Sequence, residues 1–123
     1  MFKNVAFTTY PVTDVARARE FYEETLGLKA GLAGNHGDTW WVEYDLPAGG
    51  CLAISNARES KPSDTAGGMI AFEVEDLDRL IADLKAKDVA FKSGVIHGPR
   101  CRMAVCLDSE GNAILLHQFN VKK

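Results

Sequence analysis

The chain is written twice. Displaced by 62 residues without a gap, Val12, Asp14, Arg17 and Ile54 fall on Val74, Asp76, Arg79 and Leu116. A period of this length in a chain of 123 residues means that one supersecondary unit is used in duplicate. With 46% hydrophobic residues the chain suffices for one domain with its own core, spanning 1–123, and is too short for two independent ones. Each half is therefore expected to lean on the other.

The first copy, 1–57, opens with β-formers over residues 5–10 (VAFTTY), ended by Pro11, which lacks a ladder donor. Asp14 is a good N-cap, and Val15, Ala18, Tyr22 and Leu26 recur at helical spacing up to Gly27, a natural stop. Residues 28–33, 39–45 and 50–56 then read as strands, separated by the Gly-Asn-His-Gly tract at 34–37 and by residues 46–49. The second copy, 68–123, repeats this order. A strand covers 69–74, and Asp76 caps a helix with Leu77, Leu80, Ile81 and Leu84 on one stripe. Residues 89–93, 102–108 and 112–119 are expected strands, with 108–112 as a turn and 97–100 (His-Gly-Pro-Arg) as another. Residues 58–67 form the expected linker. The fold class is thus α+β: two tandem βαβββ modules, each with one sheet face left open by its own helix. The open faces are expected to curve around a cavity, with the helices outside.

Charge and composition exclude several partners. A net charge of −3 and a pI near 5.6 leave no basic surface for a phosphate backbone, so nucleic acid is not expected. No apolar run reaches the roughly 20 residues of a membrane helix, and the start carries no leader pattern. A cytoplasmic location follows as an expectation. Cys51, Cys101 and Cys106 are odd in number and not closely paired, which reads as reduced thiols acting as small hydrophobes.

Three segments carry a resemblance to a known family. They are Pro11-Val12-Thr13-Asp14 leading into Phe21-Tyr22 and Leu26-Gly27-Leu28, the stretch from Ile70 to Leu77 (IAFEVEDL), and the stretch from Asp108 to His117 (DSEGNAILLH). In this order and spacing the chain resembles the vicinal-oxygen-chelate superfamily, which includes glyoxalase I, extradiol dioxygenases, and the bleomycin- and fosfomycin-resistance proteins. Members usually hold a divalent metal with four side chains, one from the first and one from the last strand of each module. Carried over by position, those sites are Phe7, Ala53, Met69 and Leu115. The repeat agrees, because Phe7 to Met69 and Ala53 to Leu115 are both displaced by 62. Phe7, Ala53 and Leu115 donate nothing, and a thioether suits only soft ions. The expectation is no metal and no cofactor.

Strand alternation places further residues on the same faces: Thr9 beside Phe7, Ser55 beside Ala53, Glu73 near Met69, and His117 beside Leu115. A symmetric hairpin adds Glu43 opposite Ala53, Trp41 opposite Ser55 and Met103 opposite His117; a register one residue off would substitute Trp40, Val42 and Tyr44. The candidate ligand-binding set is therefore Phe7, Thr9, Trp41, Glu43, Ala53, Ser55, Met69, Glu73, Met103, Leu115 and His117. His117 and Glu43 are the candidate catalytic residues, since an imidazole beside an apolar cavity can act as base or ligand-orienting donor, with Glu43 its partner across the cavity. Each has a plainer reading: His117 bonded to a carbonyl or water, Glu43 and Glu73 solvent-exposed, and the tryptophans packed in core or interface. Arg100 and Arg102 can meet an anionic ligand or simply flank a turn.

Two functions from different classes follow. One is a metal-free protein that binds a small organic molecule in an apolar cavity, in the manner of the bleomycin-resistance branch. The other is a lyase, isomerase or dioxygenase-like enzyme with a displaced site around His117 and Glu43. Shared fold does not decide between them. The resemblance further implies a homodimer.

Overall fold

A computed structural model describes residues 1–57 and 60–120. The start of the expected linker, residues 58 and 59, and the end of the second repeat, residues 121–123, lie outside the described residues. The chain divides into two compact units, Met1–Pro62 and Ser63–Lys123.

In the first unit, strands β1 (Thr8–Pro11), β2 (Ala30–His36), β3 (Thr39–Asp45) and β4 (Cys51–Ser55) form a mixed sheet of order β1-β4-β3-β2. β1 runs parallel to β4, and β4, β3 and β2 form an antiparallel meander. Helix α1 (Val15–Glu20) covers one face. Tyr10, Val42, Tyr44, Leu52 and Ile54 alternate onto that face, where Tyr22 of the helical segment packs its ring 5.7 Å from Tyr44. All are buried. Their odd-numbered neighbours on β3 and β4, together with Thr9, point to the opposite, open face.

The second unit repeats the plan with β5 (Ile70–Glu73), α2 (Leu77–Ala86), β6 (Ile96–His97), β7 (Cys101–Leu107) and β8 (Ala113–Phe119), in the order β5-β8-β7-β6. The duplication extends to individual pairings. Thr9 pairs with Ala53 as Ala71 does with Leu115, Glu43 with Ala53 as Val105 with Leu115, and Trp41 with Ser55 as Met103 with His117. Even the caps match: Asp14 accepts from the Arg17 amide at 3.0 Å and Asp76 from the Arg79 amide at 3.2 Å.

Four expectations need correction. The first strand covers 8–11, not 5–10, and Pro11 is its last residue, which costs nothing because β1 is an edge strand. Gly34, Asn35 and His36 continue β2, so the hairpin loop shrinks to Gly37-Asp38, with Gly37 at φ 63° as the first central position. Residues 89–93 form no strand beyond a single bridge from Phe91 to Cys106; the fourth strand of the second sheet is β6 instead, so His97 lies in a strand. At the turn that follows, a Cβ on Gly98 would stand 2.7 Å from Cys101 Sγ, so a side chain there requires the thiol to move aside.

The fourth correction concerns the first helix. It is α-helical only to Glu20 and continues as a π-helix over Phe21–Thr25, closed by the Leu26 amide bonding to the Phe21 carbonyl. This π segment makes the first helical stretch one residue longer than the second, although the two copies are otherwise in step. Tyr22 and Leu84 are repeat mates, yet the Tyr22 carbonyl receives the Leu28 amide and the Leu84 carbonyl the Val89 amide, one residue sooner. The left-handed residue after the helix is likewise Gly27 in the first copy and Asp88 in the second.

Candidate functional site

The open face of the first sheet holds Phe7, Thr9, Trp41, Glu43, Ala53 and Ser55. Phe7 lies just before β1 and is 44% exposed, with its ring edge-on to Trp41 at 5.1 Å and 84°. Trp41 Nε1 donates to Glu43 Oε2 at 2.7 Å, which ties the indole to the next side chain on the same face of β3. Ala53 is fully buried, so the position that would carry a metal ligand contributes only a methyl group. Ser55 is structural: its hydroxyl donates to the Trp40 carbonyl at 2.7 Å and accepts from the Ala57 amide at 3.0 Å. A shallow pocket of about 250 Å³ opens beside Trp41, lined by Gly34, His36, Thr39, Trp40 and Ser55 among others. A side chain at Gly34 would meet nothing within 4 Å there. Residue-type patterns alone did not single out Gly34 or Thr39. The signal was available in the cross-strand pairing of Gly34 with Trp41, once β2 is extended to His36.

The open face of the second sheet holds Met69, Glu73, Met103, Leu115 and His117. Met69 lies just before β5 and is 45% exposed. Its sheet carries a polar pair with no counterpart in the first, where the repeat mates of Glu73 and His117 are Pro11 and Ser55. Glu73 and His117 are register partners across the parallel β5 and β8. His117 Nδ1 lies 2.6 Å from Glu73 Oε1, and the other carboxylate oxygen accepts the Phe119 amide at 2.9 Å. The Phe119 ring stands edge-on to the imidazole at 4.8 Å. His117 thus has Glu73 as its acidic partner, whereas Glu43, the partner expected from sequence, is bonded to Trp41. The physical reason is adjacency: a parallel pair sets Glu73 directly beside His117.

Arg102 is turned away from this face, ion-paired to Asp78 at 2.8 Å near the start of α2. Two of the thiols are held away from the reactive thiolate form. Burial, followed by the nearby Asp108 charge, pushes Cys106 up to about 12, and burial with a hydrogen bond to Asp45 raises Cys51.

The superfamily's divalent metal does not fit these residues. Phe7, Ala53 and Leu115 offer no lone pair, and Met69 offers only a thioether. Among the described residues, no group of three or more His, Cys, Asp or Glu side chains is arranged to hold a metal ion. Among the described residues, too, no helix is long and apolar enough to cross a membrane.

Comparison with known proteins agrees with this architecture. The sequence profile of the Glyoxalase/Bleomycin resistance protein/Dioxygenase superfamily matches residues 4–116. No curated protein matches the sequence at a significant level. Among solved structures, TnmS3, an antibiotic binding protein from Streptomyces sp. CB03234, is similar with a TM-score of 0.82 and 26% identity, over 96% of this chain and 97% of that one. A glyoxalase/bleomycin resistance protein from the same organism gives 0.77 and 26%, over 91% and 97%. A glyoxylase/bleomycin resistance protein/dioxygenase domain from Frankia sp. EAN1pec, 20% identical over 97% and 93% with a TM-score of 0.78, shares the fold. The chain belongs to the Glyoxalase/Bleomycin resistance protein/Dioxygenase superfamily.

Proposed function

We propose that this superfamily member is a small-molecule-binding protein that works without a metal, holding an organic ligand on the open, largely apolar sheet faces. The observation that carries the reading is the replacement of all four usual metal positions by Phe7, Ala53, Met69 and Leu115. The similarity to TnmS3, described as an antibiotic binding protein, supports ligand capture as the task of this scaffold. The pocket beside Trp41, about 250 Å³, is slightly below the ~300 Å³ at which drug-sized sites begin, and so suits a ring system or one part of a larger ligand. Trp41, held by Glu43, supplies a flat apolar wall for it. Homodimerisation, implied by the superfamily resemblance, belongs to the same reading, and a monomer by light scattering would remove it.

The test is metal analysis of the purified protein together with tryptophan-fluorescence titration against planar aromatic compounds. Substoichiometric metal and saturable quenching are expected. A tightly bound stoichiometric metal would overturn the reading.

A second reading, a lyase, isomerase or dioxygenase-like enzyme of the same superfamily, is favoured by one observation, the short His117–Glu73 contact on an open face. Under it, His117→Ala abolishes turnover of a substrate that the variant still binds. Under the first reading there is no turnover to lose.

A further inference from the structure

The His117–Glu73 pair carries more than its position. Glu73 is held at both oxygens, by His117 Nδ1 at 2.6 Å and by the Phe119 amide at 2.9 Å, so its carboxylate is fixed relative to the ring. A carboxylate is an acceptor only, and a neutral imidazole facing it must present Nδ1–H. Nε2 is then left with its lone pair. Phe119, edge-on at 4.8 Å, braces the ring, and the His117 side chain remains 21% exposed, so the imidazole is not sealed from solvent. The same face carries Leu115 next along β8 and Met103 opposite, both apolar.

Such a site selects by chemistry. An anionic ligand group would be repelled by Glu73. An ammonium would lose hydration against Met103 and Leu115 at high cost. A neutral hydroxyl on an aromatic or enolic carbon donates one hydrogen bond and brings an apolar ring to cover the methionine and leucine. We infer that Glu73 is a positioning residue that fixes the tautomer of His117, so that His117 Nε2 accepts a hydrogen bond from a phenolic or enolic hydroxyl of the ligand. The inference rests on the binding reading above and names the ligand group that this second sheet recognises. Only the second module can do this, since Pro11 and Ser55 stand at the equivalent positions of the first.

Two measurements test it. The first needs no ligand: long-range ¹H–¹⁵N spectra of the full chain at about pH 8, where an ordinary imidazole is neutral. His117 is expected as the Nδ1–H tautomer in the native protein, and Glu73→Gln is expected to shift it toward Nε2–H with the amide spectrum otherwise preserved. A native Nε2–H tautomer overturns the inference. The second compares 2-naphthol with 2-methoxynaphthalene, which cannot donate. The native protein is expected to prefer 2-naphthol about tenfold, the ratio one neutral hydrogen bond typically supports. His117→Phe should erase the preference while retaining 2-methoxynaphthalene within about twofold. Equal binding of both probes by the native protein overturns the inference and leaves the binding reading standing. If neither probe binds, the reading of an open face for planar organic ligands fails, and the tautomer measurement still decides the role of Glu73.

Discussion

Tyr44 donates its hydroxyl proton to Glu23 Oε2 at 2.9 Å from a fully buried position, and Arg19 reaches the same oxygen at 2.7 Å. A strand residue and a residue of the π segment are thereby tied through a charged group at the edge of the core. Removing the phenol hydroxyl leaves Glu23 its arginine, whereas removing the carboxylate strands a buried hydroxyl. Tyr44→Phe is therefore expected to cost about 1 kcal/mol and Glu23→Ala about 1–3 kcal/mol in urea denaturation. A larger loss for Tyr44→Phe would refute this ordering.

The same network sets an acid sensitivity. The hydrogen bond from Arg19, then that from Tyr44, holds the Glu23 carboxyl below its ordinary value, against the opposing effect of burial. The folded state therefore binds the proton less readily than the unfolded chain. The stabilisation is complete above the unfolded value of 4.5 and is lost as pH falls through the lowered folded value. Glu23→Gln is expected to flatten the decline of melting temperature over that acid window and to leave its slope near neutral pH unchanged. An equally steep acid decline in the variant would place the titrating group elsewhere.

Much of this was legible from residues alone, for reasons that can be named. The 62-residue period reports the fold because each copy must bury one face of a sheet under one helix, and Asp14 and Asp76 cap those helices by the same bond. Cross-strand partners such as Glu43 with Ala53 and Met103 with His117 follow from symmetric hairpins, because the side-chain period of a strand is two. The π segment was not legible: Phe21-Tyr22 satisfy a helical stripe whether the next turn closes on the fourth or the fifth residue. The pairing of His117 with Glu73 was missed for a different reason. The two lie 44 residues apart, and only the register of a parallel pair, which no turn fixes, sets them side by side.

Thiol chemistry offers a third check. Cys106 is fully buried with its thiol pushed up to about 12, and Cys51 is raised by burial and by Asp45. The attacking species is the thiolate, so both are expected to react slowly with a disulfide reagent at neutral pH. Cys106 is expected to be labelled only at the rate of opening of its unit, rising to full stoichiometry in denaturant. Rapid modification of Cys106 in the native protein, located by peptide mass, would contradict the packing of β7.

The one-residue surplus in the first helix predicts an asymmetry between two deletions. Glu24 lies on the exposed side of the π segment, so deleting it allows residues 15–24 to close as a regular α-helix with Tyr22 and Glu23 in place. The following glycine then occupies the position that Asp88 holds after α2. Asp83 lies within α2, which has no surplus turn, and its deletion rotates Leu84 off the core it now fills. Loss of one buried leucine costs about 2–5 kcal/mol, a large part of a domain's total stability. The Glu24 deletion is expected to fold with a melting temperature within a few degrees of the parent, and the Asp83 deletion to melt far lower or to be insoluble. Equal damage from both would mean that the π turn is required by the packing of Phe21 and Tyr22 and is not slack left by an extra residue.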